Sequence, residues 1–70
     1  MTTTTREIGK GHREFIGPWD YFTTDDGQLY RGPSSAPLDC ITGYRMGARW
    51  EAPAHLADQF LALAREAFSR

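Results

Sequence analysis

The chain has little cysteine and no long apolar run. Cys40 is the single cysteine among the 70 residues, so no disulfide can form within the chain. Secreted domains of this size are usually cross-linked, which favours a reducing, cytoplasmic location. The opening residues MTTTTREIGKGHREF hold no apolar signal-peptide core. No run approaches the roughly 18 apolar residues of a membrane span, so we expect no membrane association.

The chain also lacks a large charge of either sign. Eight basic and nine acidic residues give a net charge of −1, so bulk electrostatics predict no strong attraction to nucleic acid or anionic lipid. Arginine strongly outnumbers lysine, a bias typical of GC-rich bacterial or phage coding sequences. Seventy residues are enough for one domain, near the lower limit for folding without disulfides, metals or a partner.

Residues that carry catalysis or bind metals are sparse. Two histidines and one cysteine give no zinc-binding spacing, and the pair Asp25-Asp26 is followed by no acid at the spacing of a calcium loop. The segment IGKGHR lacks a Walker pattern. Cys40 lies in the apolar stretch DCITGY, where a free cysteine usually packs in the core. We therefore predict no enzymatic activity, no cofactor and no metal.

Two turn signals predict two β-hairpins. In WDYFTTDDGQLYRGP, residues 19–33, Asp-Asp-Gly separates two aromatic-rich runs. A two-residue Asp26-Gly27 turn is possible. A three-residue loop that pairs Phe22 with Tyr30 is favoured, because it sets two aromatic rings opposite each other. The same reasoning predicts strands at residues 40–44 and 48–51, joined by a turn at 45–47, and a short strand at residues 15–16.

The C-terminal segment predicts an amphipathic helix. Pro53 suits the first helical position, where its missing N–H costs nothing. On a helical wheel, the apolar residues that follow fall on one arc of about 160°: Leu63, Leu56, Ala67, Phe60, Ala64, Ala57, Phe68 and Leu61. Leu56 and Phe60 lie at the centre of this arc, so we expect them to make the main contacts with the sheet.

These elements predict an α+β fold. It consists of a small antiparallel sheet of two β-hairpins, with three to four strands, and one C-terminal amphipathic helix packed on one face. Residues 1–12 are expected to form a flexible N-terminal arm, and residues 13–70 a single small domain.

The predicted strands carry more aromatic and arginine side chains than one helix can cover. The set comprises Trp19, Tyr21, Tyr30, Arg31, Tyr44, Arg45, Arg49 and Trp50. Strand alternation sends about half of these side chains to the face away from the helix. Aromatic residues and arginine are enriched at protein–protein hot spots, and they also stack exposed nucleic-acid bases. An ordinary core with arginines at solvated sheet edges accounts for the same residue types.

Acidic residues among the arginines, such as Asp20 and Glu51, would repel a phosphate backbone. The sequence therefore predicts a small non-enzymatic accessory protein that binds another protein through this face or a sheet edge. The partner can also be a second copy of the chain, paired at an edge beside Gly43. The alternative is a single-stranded nucleic-acid or RNA-binding module that uses the same arginine–aromatic face.

Overall fold

The computed structural model describes residues 11–69. They form one antiparallel sheet whose four strands lie in chain order: β1 (Arg13–Ile16), β2 (Trp19–Thr23), β3 (Leu29–Pro33) and β4 (Arg49–Ala52). A short 3-10 helix, Ala54–Leu56, leads into α1 (Ala57–Phe68). The predicted fold class is confirmed. Most of the predicted arm, residues 1–10, lies outside the described residues.

The hairpin around Asp-Asp-Gly has the register that the sequence favours. Phe22 lies opposite Tyr30, which confirms the three-residue loop. The amide of Gly27 donates to the carbonyl of Thr24 at 2.9 Å, and Gly27 has a φ of +87°. A non-glycine residue adopts this left-handed conformation only at a cost. The two aspartates therefore occupy a turn.

The second hairpin differs from the prediction, because residues 40–44 form no strand. The carboxylate of Asp39 accepts hydrogen bonds from the amides of Ile41 at 2.7 Å and Thr42 at 3.3 Å. The amide of Gly43 donates to the Asp39 carbonyl at 2.7 Å. These local bonds bend the chain and compete with a β-ladder. Cys40 is exposed at this bend, so the expectation that it packs in the core was wrong.

Strand β4 pairs with β3 instead. Tyr30 lies opposite Trp50 and Arg31 opposite Arg49. Leu29 lies opposite Ala52, so Glu51 is an extra residue that forms a bulge in β4. The predicted turn at residues 45–47 is present, with the amide of residue 48 bonded to the carbonyl of residue 45 at 3.0 Å. It ends a long connection, residues 34–48.

The helix buries a narrower stripe than the wheel suggests. Ala57, Leu61 and Ala64 are its buried residues, and they pack against the following sheet residues: Ile16, Tyr21, Leu29 and Ala52. Phe60 and Leu63, by contrast, are exposed. The expectation that Phe60 lies at the centre of the contact was wrong, because the sheet contacts one margin of the apolar arc. No helix in residues 11–69 is long and apolar enough to cross a membrane.

Candidate interaction surface

The structure divides the predicted arginine–aromatic set between the two faces of the sheet. Trp19, Tyr21 and Arg31 lie on the face that carries the helix, because they alternate in register with the core residue Leu29. Tyr30 and Trp50 lie on the other face, called the far face below. The set is therefore not one continuous surface.

On the helix face the aromatic residues serve mainly the core. Tyr21 is buried, and Trp19 packs half-buried at the margin of the core. The guanidinium of Arg31 lies 4.2 Å from the centroid of the Trp19 ring, and its Nε is 3.2 Å from a carboxylate oxygen of Glu51. Tyr21 is thus unavailable to a partner, and the charge of Arg31 is matched by a neighbouring acid.

The far face is largely covered by the connection, residues 34–48. Tyr44 packs on Phe22 with ring centroids 4.5 Å apart, and on Tyr30 at 5.9 Å. Phe22 and Tyr30 stack on each other at 5.9 Å. Phe22 is buried even though it points away from the helix. The open aromatic face expected from the sequence is therefore closed at its centre by the chain itself.

A buried ion-pair network fixes the connection to the far face. Asp20 is fully buried and accepts hydrogen bonds from Arg13, the shortest at 2.7 Å, and from Nε of Arg45 at 2.8 Å. Arg45 also donates to the carbonyl of Ala36 at 2.8 Å. Burial by itself raises the pKa of Asp20, but the hydrogen bonds from the two arginines outweigh it and the pKa is lowered. Arg45 therefore has a structural partner.

Phe15 is an exposed aromatic residue that the sequence reasoning missed. Its ring lies between the guanidinium groups of Arg13 and Arg45, at 6.0 and 5.8 Å from its centroid. Strand alternation could have identified it: Ile16 of β1 packs in the core, so its neighbour Phe15 points to the far face. Both guanidinium groups are already bonded to Asp20.

Strand β4 forms one edge of the sheet, and in residues 11–69 its only strand partner is β3. Arg49 is exposed, and 53% of the Trp50 surface is accessible. The indole Nε1 of Trp50 donates to Oε1 of Gln28 at 2.7 Å, which holds the ring in place beside the edge. Gly43 lies in the bend of the connection, so the edge predicted beside it does not exist.

Helix α1 carries a second apolar stripe, which the sheet leaves uncovered. We call it the outer helix stripe: Phe60, Leu63 and Ala67. The spacing of three and four residues places these side chains on one face of the helix. Leu56, in the short 3-10 helix before α1, packs partly buried against the core, as expected. Phe60 is 39% and Leu63 is 64% exposed. The amino-acid pattern already indicated this stripe, because the apolar arc of the helix is wider than the part that one sheet contact buries.

The helix crosses the sheet from one edge strand to the other. It begins directly after β4, and near its end Arg65 contacts Glu14 of β1, with Nε 2.6 Å from Oε2. On the helical wheel Leu63 lies about 160° from the docked residue Leu61, so it points away from the sheet. The exposed residues Arg49 and Trp50 of the β4 edge define what we call the β4 surface.

No protein-family model, curated protein or solved structure matches this chain. The part of the chain described by the structure also holds no group of three or more His, Cys, Asp or Glu side chains placed to share a metal ion. The geometry of the β4 surface is thus the main observation that bears on function.

Proposed function

We propose that this chain is a small non-enzymatic interaction protein that binds another protein through the β4 surface. The observation that carries the proposal is the exposure of Trp50 at the β4 edge of the sheet. A partner strand added to β4 gains backbone hydrogen bonds along the edge and packs beside the Trp50 ring.

The residue types support a protein partner. Tryptophan and arginine are enriched among the residues that dominate binding energy at protein interfaces. Trp50 is also held by Gln28, so little side-chain freedom is lost when a partner packs on it.

A site-specific photo-crosslinking experiment tests this proposal. The photoreactive amino acid p-benzoylphenylalanine replaces Trp50 in the full chain, which is irradiated in the producing cells. Position 41 is the matched control, because Ile41 is also a large apolar residue and is 89% exposed, but lies in the connection. We expect a discrete protein adduct from position 50 and none from position 41. Adducts from position 41 alone overturn the proposal.

Single-stranded nucleic acid is the second candidate ligand, on the strength of Phe15 and its two flanking arginines. Three of the arginines near exposed rings are, however, bonded to acids: Arg13 and Arg45 to Asp20, and Arg31 to Glu51. We expect tryptophan fluorescence to stay unchanged when random single-stranded RNA or DNA is added at low salt. Quenching that salt reverses favours nucleic acid instead.

A further inference from the structure

We infer that the partner at the β4 surface is a second copy of this chain, paired antiparallel along β4 with Trp50 at the two-fold axis. This inference rests on the proposed function and specifies its partner. The dimer is one continuous eight-stranded sheet with both helices on the same face, because the two-fold axis stands perpendicular to the sheet.

The charges of β4 match each other in this arrangement. In an antiparallel pair centred on Trp50, Arg49 of one protomer lies opposite Glu51 of the other, and the reverse pair forms on the other side of the axis. A parallel pair in register would instead place Arg49 opposite Arg49. The sequence Arg-Trp-Glu is therefore self-complementary in one orientation only.

The side-chain directions agree with this pairing. Arg49 lies opposite Arg31 in the sheet register, and Glu51 contacts Arg31, so all three lie on the helix face. Trp50 lies opposite Tyr30 on the far face. The two tryptophans of a dimer are therefore adjacent across the axis, and they join the Phe22–Tyr30 stack of each protomer into one aromatic row.

The bulge at Glu51 and the charged residues of β4 also act against other partners. Short, charged and bulged strands resist general edge-to-edge association. Arg49 and Glu51 find opposite charges against a second copy of this strand running the other way, but like charges against a copy in the parallel register. The edge therefore discriminates in favour of a second copy.

The test measures the molar mass of the full chain by sedimentation equilibrium over a range of concentrations. We expect a monomer–dimer equilibrium with twice the chain mass at high concentration. Arg49→Glu alone places two acids opposite each other at each pair, and Glu51→Arg alone places two arginines there. Each single variant should raise the dissociation constant at least tenfold. The double variant R49E/E51R should return it to within about threefold of the original chain.

Mixing the two single variants gives the most specific result. The Arg49→Glu chain carries two acids on β4 and the Glu51→Arg chain carries two arginines, so the two chains are complementary in the antiparallel register. The mixture should therefore form a heterodimer at concentrations where each variant alone stays monomeric. Circular dichroism and thermal melting of each variant verify folding. Glu51→Gln shows what loss of the pair with Arg31 does to folding by itself.

The outcomes separate this inference from the proposed function. A chain that stays monomeric at all concentrations, or a dimer that neither single variant weakens, overturns the inference. In that case an adduct of another protein at position 50 in the crosslinking experiment still supports the proposed function. A monomeric chain that also gives no adduct at position 50 overturns both.

Discussion

Arg65 of α1 holds Glu14 of β1 through two hydrogen bonds, from Nε to Oε2 at 2.6 Å and from Nη2 to Oε1 at 2.7 Å. Nε2 of His12 lies 3.0 Å from the same carboxylate. The bonds from Arg65, with a smaller contribution from His12, lower the pKa of Glu14 from 4.5 to about 2. This contact joins the C-terminal half of α1 to the first strand.

The low pKa of Glu14 predicts a pH-dependent stability. The folded value lies below the unfolded one, so the ion pair contributes fully above about pH 4.5 and is lost as the pH falls from 4.5 towards 2. We expect Glu14→Gln to lower the free energy of unfolding by about 1 kcal/mol at pH 7, a modest value because the pair is partly solvated. Urea unfolding at pH 7, 4 and 2 measures the difference, which should shrink towards pH 2. A difference that is constant with pH contradicts the prediction.

Asp20→Asn should be among the most destabilising polar substitutions. It removes the negative charge that pairs with Arg13 and Arg45 on the far face. We expect a loss of about 3 kcal/mol in the free energy of unfolding, because Arg45, whose side chain is largely buried, loses its counter-charge. Arg13→Gln is the control. Its side chain is 40% exposed and Arg45 still pairs with Asp20, so it should cost clearly less in the same urea titration.

Leu61→Ala and Leu63→Ala form a matched pair that tests the helix orientation. Leu61 is fully buried whereas Leu63 is 64% exposed. We expect Leu61→Ala to cost about 2–5 kcal/mol of unfolding free energy, and Leu63→Ala less than about 0.5 kcal/mol in the monomer. Thermal melting at low protein concentration measures both. Equal melting temperatures for the two variants would show that the helix does not dock through Leu61.

Gly32→Ala should loosen the connection from the far face. A β-carbon at this position would lie 2.7 Å from Cβ of Arg45 and 3.3 Å from Cα of Ala48, so the connection has to move away. We expect a cost of about 1–3 kcal/mol and a changed near-ultraviolet circular dichroism signal, because Tyr44 shifts on Phe22. Ser35→Ala, an exposed change in the same connection, is the control and should leave both measurements near the original values.

The photo-crosslinking and charge-exchange experiments both probe the β4 edge but answer different questions. The first asks whether the β4 surface touches a protein at all. The second asks whether that protein is a second copy in one defined register. A chain can pass the first and fail the second, which keeps the two proposals separate.

The sequence by itself determined the first hairpin turn and the helix, but not the second hairpin, since residues 40–44 form no strand. Asp-Asp-Gly predicted a turn and favoured the three-residue loop, because that loop sets Phe22 opposite Tyr30. The apolar period fixed a helix over the last turns of the chain. The antiparallel sheet with one packed helix followed from these two patterns, since each element has an apolar face to bury.

Only the tertiary structure decided what each face contacts. The bend at Asp39 arises from side-chain bonds to nearby amides that no periodicity reveals, and it carries Tyr44 onto Phe22, which closes the far face. The helix docks through Leu61 and Ala64, so one margin of its apolar arc is buried and the other remains exposed. Arg65 then contacts Glu14, which lies 51 residues away in the sequence. A wheel gives the width of an apolar arc, but the long-range contacts choose which part of it is buried.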